Sequence, residues 1–147
     1  MTTLPIAQAI IHDHHTLDTV TLTYDDRFLR RKVLTTDKGE RFLVDLPKTT
    51  SVNHGDAFQL ADGRKIGVIA ATEGLLEITC DDLTRIAWHV GNRHTPCQFE
   101  STRLLIQRDH VIRDMLVKIG ATVREVSEPF TPEGGAYGHG RTHSHAH

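Results

Sequence analysis

At 147 residues, 38% of them apolar and 24% charged, the chain can form one globular domain or two very small ones. A domain of about 70 residues barely buries a self-sufficient core. A formal net charge of −2 gives no electrostatic case for nucleic acid binding, and no run approaches the roughly 18 consecutive apolar residues of a membrane span.

The N-terminus, Met1-Thr2-Thr3-Leu4-Pro5, lacks the basic start and apolar stretch of a secretory signal, so a cytoplasmic location is expected. Strand signals follow. Ile6 to Ile11, Thr19 to Tyr24 and Arg41 to Leu46 are rich in β-branched or alternating apolar residues. Asp37-Lys38-Gly39, Gly55-Asp56 and Asp62-Gly63 supply the turns between them, which predicts a small all-β unit ending near Gly74. Within it, Tyr24 to Arg31 mixes aromatic, acidic and basic residues, as either a partner-binding face or a solvated sheet edge whose charges discourage aggregation. His12, His14 and His15 form a polar loop cluster, and His54 falls in a bend.

The periodicity then changes. Leu75 to Cys80 reads as a strand, Asp81 or Asp82 as an N-cap, and Leu83, Ile86, Ala87 and Val90 share one face of a helix that Gly91 and Asn92 are expected to close. Pro96 keeps that helix from resuming, so His94 lies in a tight connection. Two strands, Cys97 to Ser101 and Arg103 to Gln107, precede a second helix capped by Asp109, with Val111, Ile112, Met115, Leu116 and Ile119 as its buried stripe and Gly120 as its stop. A last strand runs from Ala121 to Val126. The order β-α-β-β-α-β is that of a ferredoxin-like unit. The fold class expected is therefore α+β, with an N-terminal β domain over 1–74, a ferredoxin-like domain over 75–128 and a mobile histidine-containing tail over 129–147. From Pro129 onward Pro, Gly, Thr and His dominate, a composition that cannot bury enough apolar area to order itself.

Gly91-Asn92-Arg93-His94-Thr95-Pro96 resembles the signature of the UreE family, urease accessory nickel metallochaperones. Asp109 to Leu116 is similar to the family's second helix, and Phe130-Thr131-Pro132-Glu133-Gly134-Gly135-Ala136-Tyr137 to the run before its histidine-rich tail. The resemblance implies an N-terminal domain likened to a peptide-binding chaperone module and a C-terminal ferredoxin-like domain that dimerises. It further implies two partners, the accessory GTPase UreG and, through it, urease apoprotein.

The metal chemistry follows from where the histidines stand. His94 near the axis of an isologous homodimer would meet its own copy, so one residue in the sequence becomes two ligands in space. His143, His145 and His147, tethered on the tail, can add imidazoles at high effective concentration and leave one at a time, which suits a carrier that must also release. His110 is either a peripheral ligand or simply a neighbour of the Asp109 cap. Imidazole suits nickel, zinc and copper alike, so nickel as the cargo is implied by the resemblance, and zinc or copper can bind the same site. Only neutral imidazole is a ligand, and protonating all 11 histidines would move the formal charge from −2 to +9. Cys97 is expected as a half-buried thiol outside the site, and His89 as a partly buried structural residue. No His-Glu-x-x-His, Gly-x-Ser-x-Gly or phosphate-loop motif occurs, so no catalysis is expected. The alternative function is a peptide-binding or scaffold protein with an incidental histidine tail.

Overall fold

Phe42, Val44 and Leu46 are buried while their neighbours are less so, the period-two pattern of a strand with one face on a core. They belong to β4 (Arg41–Ser51) of a six-stranded sheet with β1 (Ile6–His12), β2 (Asp18–Leu22), β3 (Phe28–Thr35), β5 (Asp56–Leu60) and β6 (Lys65–Ala70). In the computed structural model, which describes residues 3–13 and 15–134, the strand order is β2-β6-β5-β1-β4-β3. The β1/β4 and β2/β6 pairs are parallel and the others antiparallel. Phe42 and Phe58 pack with ring centroids 5.8 Å apart within the core that these strands share with Val20, Ile66 and Val68.

The stretch from Tyr24 to Arg31 is not uniformly solvated. Arg27 is only 2% exposed: its guanidinium donates to the Leu22 carbonyl at 2.9 Å and lies 5.9 Å from the centre of the Tyr24 ring. Leu29 is buried as well, whereas Arg30, Arg31 and Lys32 are exposed along β3, an edge of the sheet. His54 accepts the Ala70 N–H at Nδ1, a turn role, and His12 faces Asp56 at 3.4 Å. His14 lies outside the described residues.

The second unit begins after Ala71. Its strands are β7 (Thr72–Thr79), β8 (Cys97–Phe99), β9 (Leu104–Gln107) and β10 (Thr122–Pro129), its helices α1 (Leu83–Asn92) and α2 (His110–Lys118). The sheet order β10-β7-β9-β8 with all pairs antiparallel is the ferredoxin-like arrangement. Leu76, Ile78, Leu104 and Ile106 pack with Ile86 and Val90 of α1 and Ile112 and Leu116 of α2 in one core, so both helices share a face of the sheet.

Several boundaries depart from the sequence reading. β7 starts at Thr72 rather than Leu75, and Gly74 is paired with Ser127 inside it instead of ending the preceding unit. The absent side chain there leaves room for Arg108, whose Cζ would lie 3.0 Å from a Cβ and whose guanidinium donates to the carbonyls of Leu75 and Val126. β8 stops at Phe99 because Glu100 already turns, its N–H donating to the Arg103 carbonyl at 3.0 Å. β10 runs on to Pro129, pairing with β7 to its first residue, Thr72. Val111 is not part of the buried stripe: it is 51% exposed, since α2 turns Ile112 and Leu116 inward and leaves Val111 on the flank.

Candidate metal centre

Helix α1 is set by its ends. Asp82 accepts the Arg85 N–H at 3.2 Å as the N-cap, filling one of the donors that the first turn leaves unpaired. At the other end the helix does not close on Gly91 and Asn92 as the sequence suggests. It runs through both, and Arg93 is the C-cap with φ −90° and ψ 0°. His94 then takes the left-handed conformation, φ 57°, the one positive φ among the described non-glycine residues. The Arg93 and His94 N–H groups donate to the Val90 and Gly91 carbonyls at 3.1 and 2.9 Å. The reason is where the chain must turn. Val90 is the last core contact, Pro96 forces Thr95 toward extended backbone, and the reversal between them falls on position 94 whichever residue stands there.

A left-handed backbone costs a residue with a Cβ about 1–2 kcal/mol, and glycine almost nothing. The side chain of His94 is exposed at this turn, next to the edge strand β8. Strain of this sort at a solvent-facing histidine points to a use for the imidazole.

Around the turn the groups have distinct parts. Cys97, three residues on, is 5% exposed, and burial pushes its thiol up to about 12, so it is a protonated core group and more buried than expected. His89 is half-buried in α1, edge-on to Trp88 with centroids 5.0 Å apart. Trp88 itself is 64% exposed, a large apolar surface on the helix that precedes His94. His110 is exposed as the first residue of α2, and the cap is Asp109, which accepts the Val111 and Ile112 N–H groups at 2.9 and 3.1 Å. Among the described residues no three of His, Cys, Asp and Glu gather into a group that can hold a metal, so neither His94 nor His110 belongs to a three-ligand cluster of these residues within the chain. His143, His145 and His147 lie outside the described residues.

The chain matches two family models in succession, the N-terminal domain of UreE urease accessory protein over residues 3–71 and its C-terminal domain over residues 73–147. The chain belongs to the UreE family. Relatives of this UreE-family chain include the urease accessory protein UreE of Ruegeria pomeroyi, 75% identical over 130 residues that make up 88% of this chain and 87% of the relative. Those of Ruegeria sp. (strain TM1040) and Cereibacter sphaeroides are 66% and 58% identical, covering 90% and 87% of this chain and 75% and 70% of their own length.

One more part of this UreE-family chain departs from the sequence reading. The segment after β10, assigned to the mobile tail by composition, is held to the domain as far as Glu133. Phe130 is fully buried, Gln98 of β8 accepts from the Thr131 N–H at 2.9 Å through Oε1, and the Glu133 N–H donates to the Cys97 carbonyl at 2.8 Å. Phe130, a large apolar aromatic opening a run of Pro, Thr and Gly, is the signal that marks the anchor.

Proposed function

We propose that this chain is a cytoplasmic, homodimeric nickel carrier that serves urease maturation and catalyses no reaction itself. As a member of a urease accessory family its place is in the assembly of urease; nickel as cargo, the dimer and the ligand set are our reading. The observation that carries it is the exposed imidazole of His94 on a left-handed backbone, at a helix stop where glycine would be cheaper.

In this reading the ferredoxin-like unit binds metal and dimerises, the N-terminal unit is peptide-binding-like, and the residues after Gly134 form a ligand-bearing tail. Two His94 imidazoles meet across a two-fold axis, with the exposed Trp88 ring on the adjoining helix available to be covered by the partner copy. Two nitrogen ligands leave most of an octahedral shell open, and His143, His145 and His147 complete it, with His110 as a peripheral ligand. Zinc and copper bind the same imidazoles. Transfer proceeds through UreG to urease apoprotein, the tail ligands leaving first.

The test is a calorimetric nickel titration of the full chain and its His94→Ala variant, with the dimer mass measured in the same buffer. The expected result is loss of the tightest event, at about one ion per dimer. Identical binding by the variant would leave a peptide-binding scaffold with an incidental histidine tail.

A further inference from the structure

The segment after β10 is fastened to the strand that starts three residues past His94. Phe130 is fully buried; the Thr131 N–H donates to Gln98 Oε1 at 2.9 Å, and the Thr131 hydroxyl reaches the same oxygen at 3.4 Å. The Glu133 N–H donates to the carbonyl of Cys97 at 2.8 Å. Gln98 is itself held from its other end, Nε2 donating to Glu100 Oε2 at 2.9 Å. Glu100 in turn accepts from Arg103 at 3.0 Å, and Arg103 grips Glu128 of β10 through both terminal nitrogens at 2.7 Å. Arg103 also donates to Glu77 at 2.9 Å. The loop of contacts closes: β10 is tied to the β8–β9 hairpin through Glu128 and Arg103, and the chain leaving β10 is tied to β8 through Gln98.

We propose that Phe130 to Glu133 act as a strap that fixes where the histidine-bearing tail leaves the domain, beside His94, and that Gln98 is the positioning residue of this strap. The proposal rests on the reading above, in which tail histidines join His94 on the metal. Its physical content is a shorter tether. With the strap closed, the first of the proposed tail ligands, His143, follows the last fastened residue, Glu133, by ten positions; with only Phe130 seated, it follows by thirteen. Effective concentration falls roughly as the three-halves power of tether length, so opening the strap lowers the tail's contribution about 1.5-fold. Linkage makes the effect reciprocal: a metal shared by His94 and the tail holds the strap closed.

The experiment uses the full chain, with nickel as the probe and a competing chelator to read affinity. Gln98→Ala removes the acceptor, and Thr131→Pro removes the donor from the opposite side. A further full-length chain carries alanine at His139, His143, His145 and His147. Both strap variants are expected to weaken nickel binding about 1.5-fold where the tail histidines are present and not at all where they are absent. In the wild-type chain, nickel is expected to slow hydrogen exchange at the Thr131 and Glu133 amides, an effect that vanishes in the tail-alanine chain. Equal loss with and without tail histidines would make Gln98 a support of β8 alone and overturn the proposal. So would unchanged affinity in a variant whose Glu133 and Gly134 amides exchange freely, or amide exchange indifferent to nickel. If the tail-alanine chain binds nickel as tightly as wild type, the tail takes no part, and the tail-ligand part of the carrier reading fails with the strap. If the tail contributes and Gln98→Ala has no effect, the strap alone fails.

Discussion

Helices α1 and α2 begin alike and end differently. Each is capped by an aspartate, Asp82 or Asp109, whose carboxylate accepts first-turn N–H groups, and each is followed by a residue with positive φ before the next strand. After α2 that residue is Gly120 at φ 101°, its Ala121 N–H returning to the Leu116 carbonyl at 3.0 Å. After α1 it is His94 at φ 57°. Within one small fold, the same backbone problem has a cheap solution at one site and a strained one at the other, and the strained one is exposed three residues before the strand to which the segment after β10 is fastened. Gly120 stops a helix; His94 stops a helix and presents an imidazole.

That contrast can be broken at several points. The largest effect is expected from Phe130→Ala, which empties a fully buried aromatic site and should cost about 3 kcal/mol or more in chemical unfolding of the second unit. A near-neutral result would return the segment to the tail and detach it from the His94 side. His94→Gly converts the α1 stop into the α2 kind; nickel affinity should drop at least roughly tenfold, about 1.4 kcal/mol, in a chelator competition. The reverse kind of change, Gly120→Ala, should destabilise the fold by about 1–2 kcal/mol in urea, since nothing but backbone strain opposes the new methyl group. An unaffected midpoint would mean that the left-handed backbone carries no cost here, and the argument from strain at His94 would lose its basis.

Cys97 sharpens the comparison from the core side. Its thiol is raised from 9.0 to about 12 in the folded chain, so the native state keeps a proton that the unfolded chain releases above pH 9. Stability from this group is therefore intact below pH 9 and lost between pH 9 and 12, by about 1 kcal/mol at pH 10. Cys97→Ala should remove that share of the alkaline slope in urea midpoints while leaving nickel binding unchanged; loss of nickel would make the thiol a ligand after all. The smallest expected effect is a gain. His94→Gly relieves strain but also loosens the unfolded chain, so the net stabilisation should be about 0.5 kcal/mol. A variant that binds less metal yet unfolds later would separate the two duties of position 94.

Most of the architecture could be read in the residues because it rests on local, repeated signals. The stripe of Ile86 and Val90, the cap at Asp109, the stop at Gly120 and the turns at Gly39 and Gly63 each combine periodicity with a residue whose conformational role is narrow. Three features were hidden because distant parts of the chain decide them. The left-handed turn fell on His94 and not on Gly91 or Asn92 because the position of Val90 in the core and the restriction before Pro96 outweighed local tolerance. Gly74 reads as a terminator, yet it lies within a strand because the Arg108 guanidinium crosses over it. Composition after Pro129 argues for an unfastened tail, but one aromatic side chain and two backbone donors hold Phe130 to Glu133 in place. The imidazole at position 94 was legible as a candidate ligand; its strain was not, since φ is invisible in a sequence.

The pairing of the first sheet also bears on how the chain is made. β2 occupies one edge, and among the described residues its sole ladder is the parallel one with β6, which joins Thr19 to Gly67 and Leu22 to Ala70. As the chain emerges from the ribosome, residues 18–22 therefore wait for nearly fifty more to be synthesised before they gain a strand partner, and long-range parallel pairing of this kind is slow. Because the second unit begins at Thr72, the first can close only as the second starts to emerge. The order of synthesis thus makes every strand of the N-terminal sheet available before His94 and His110 are made.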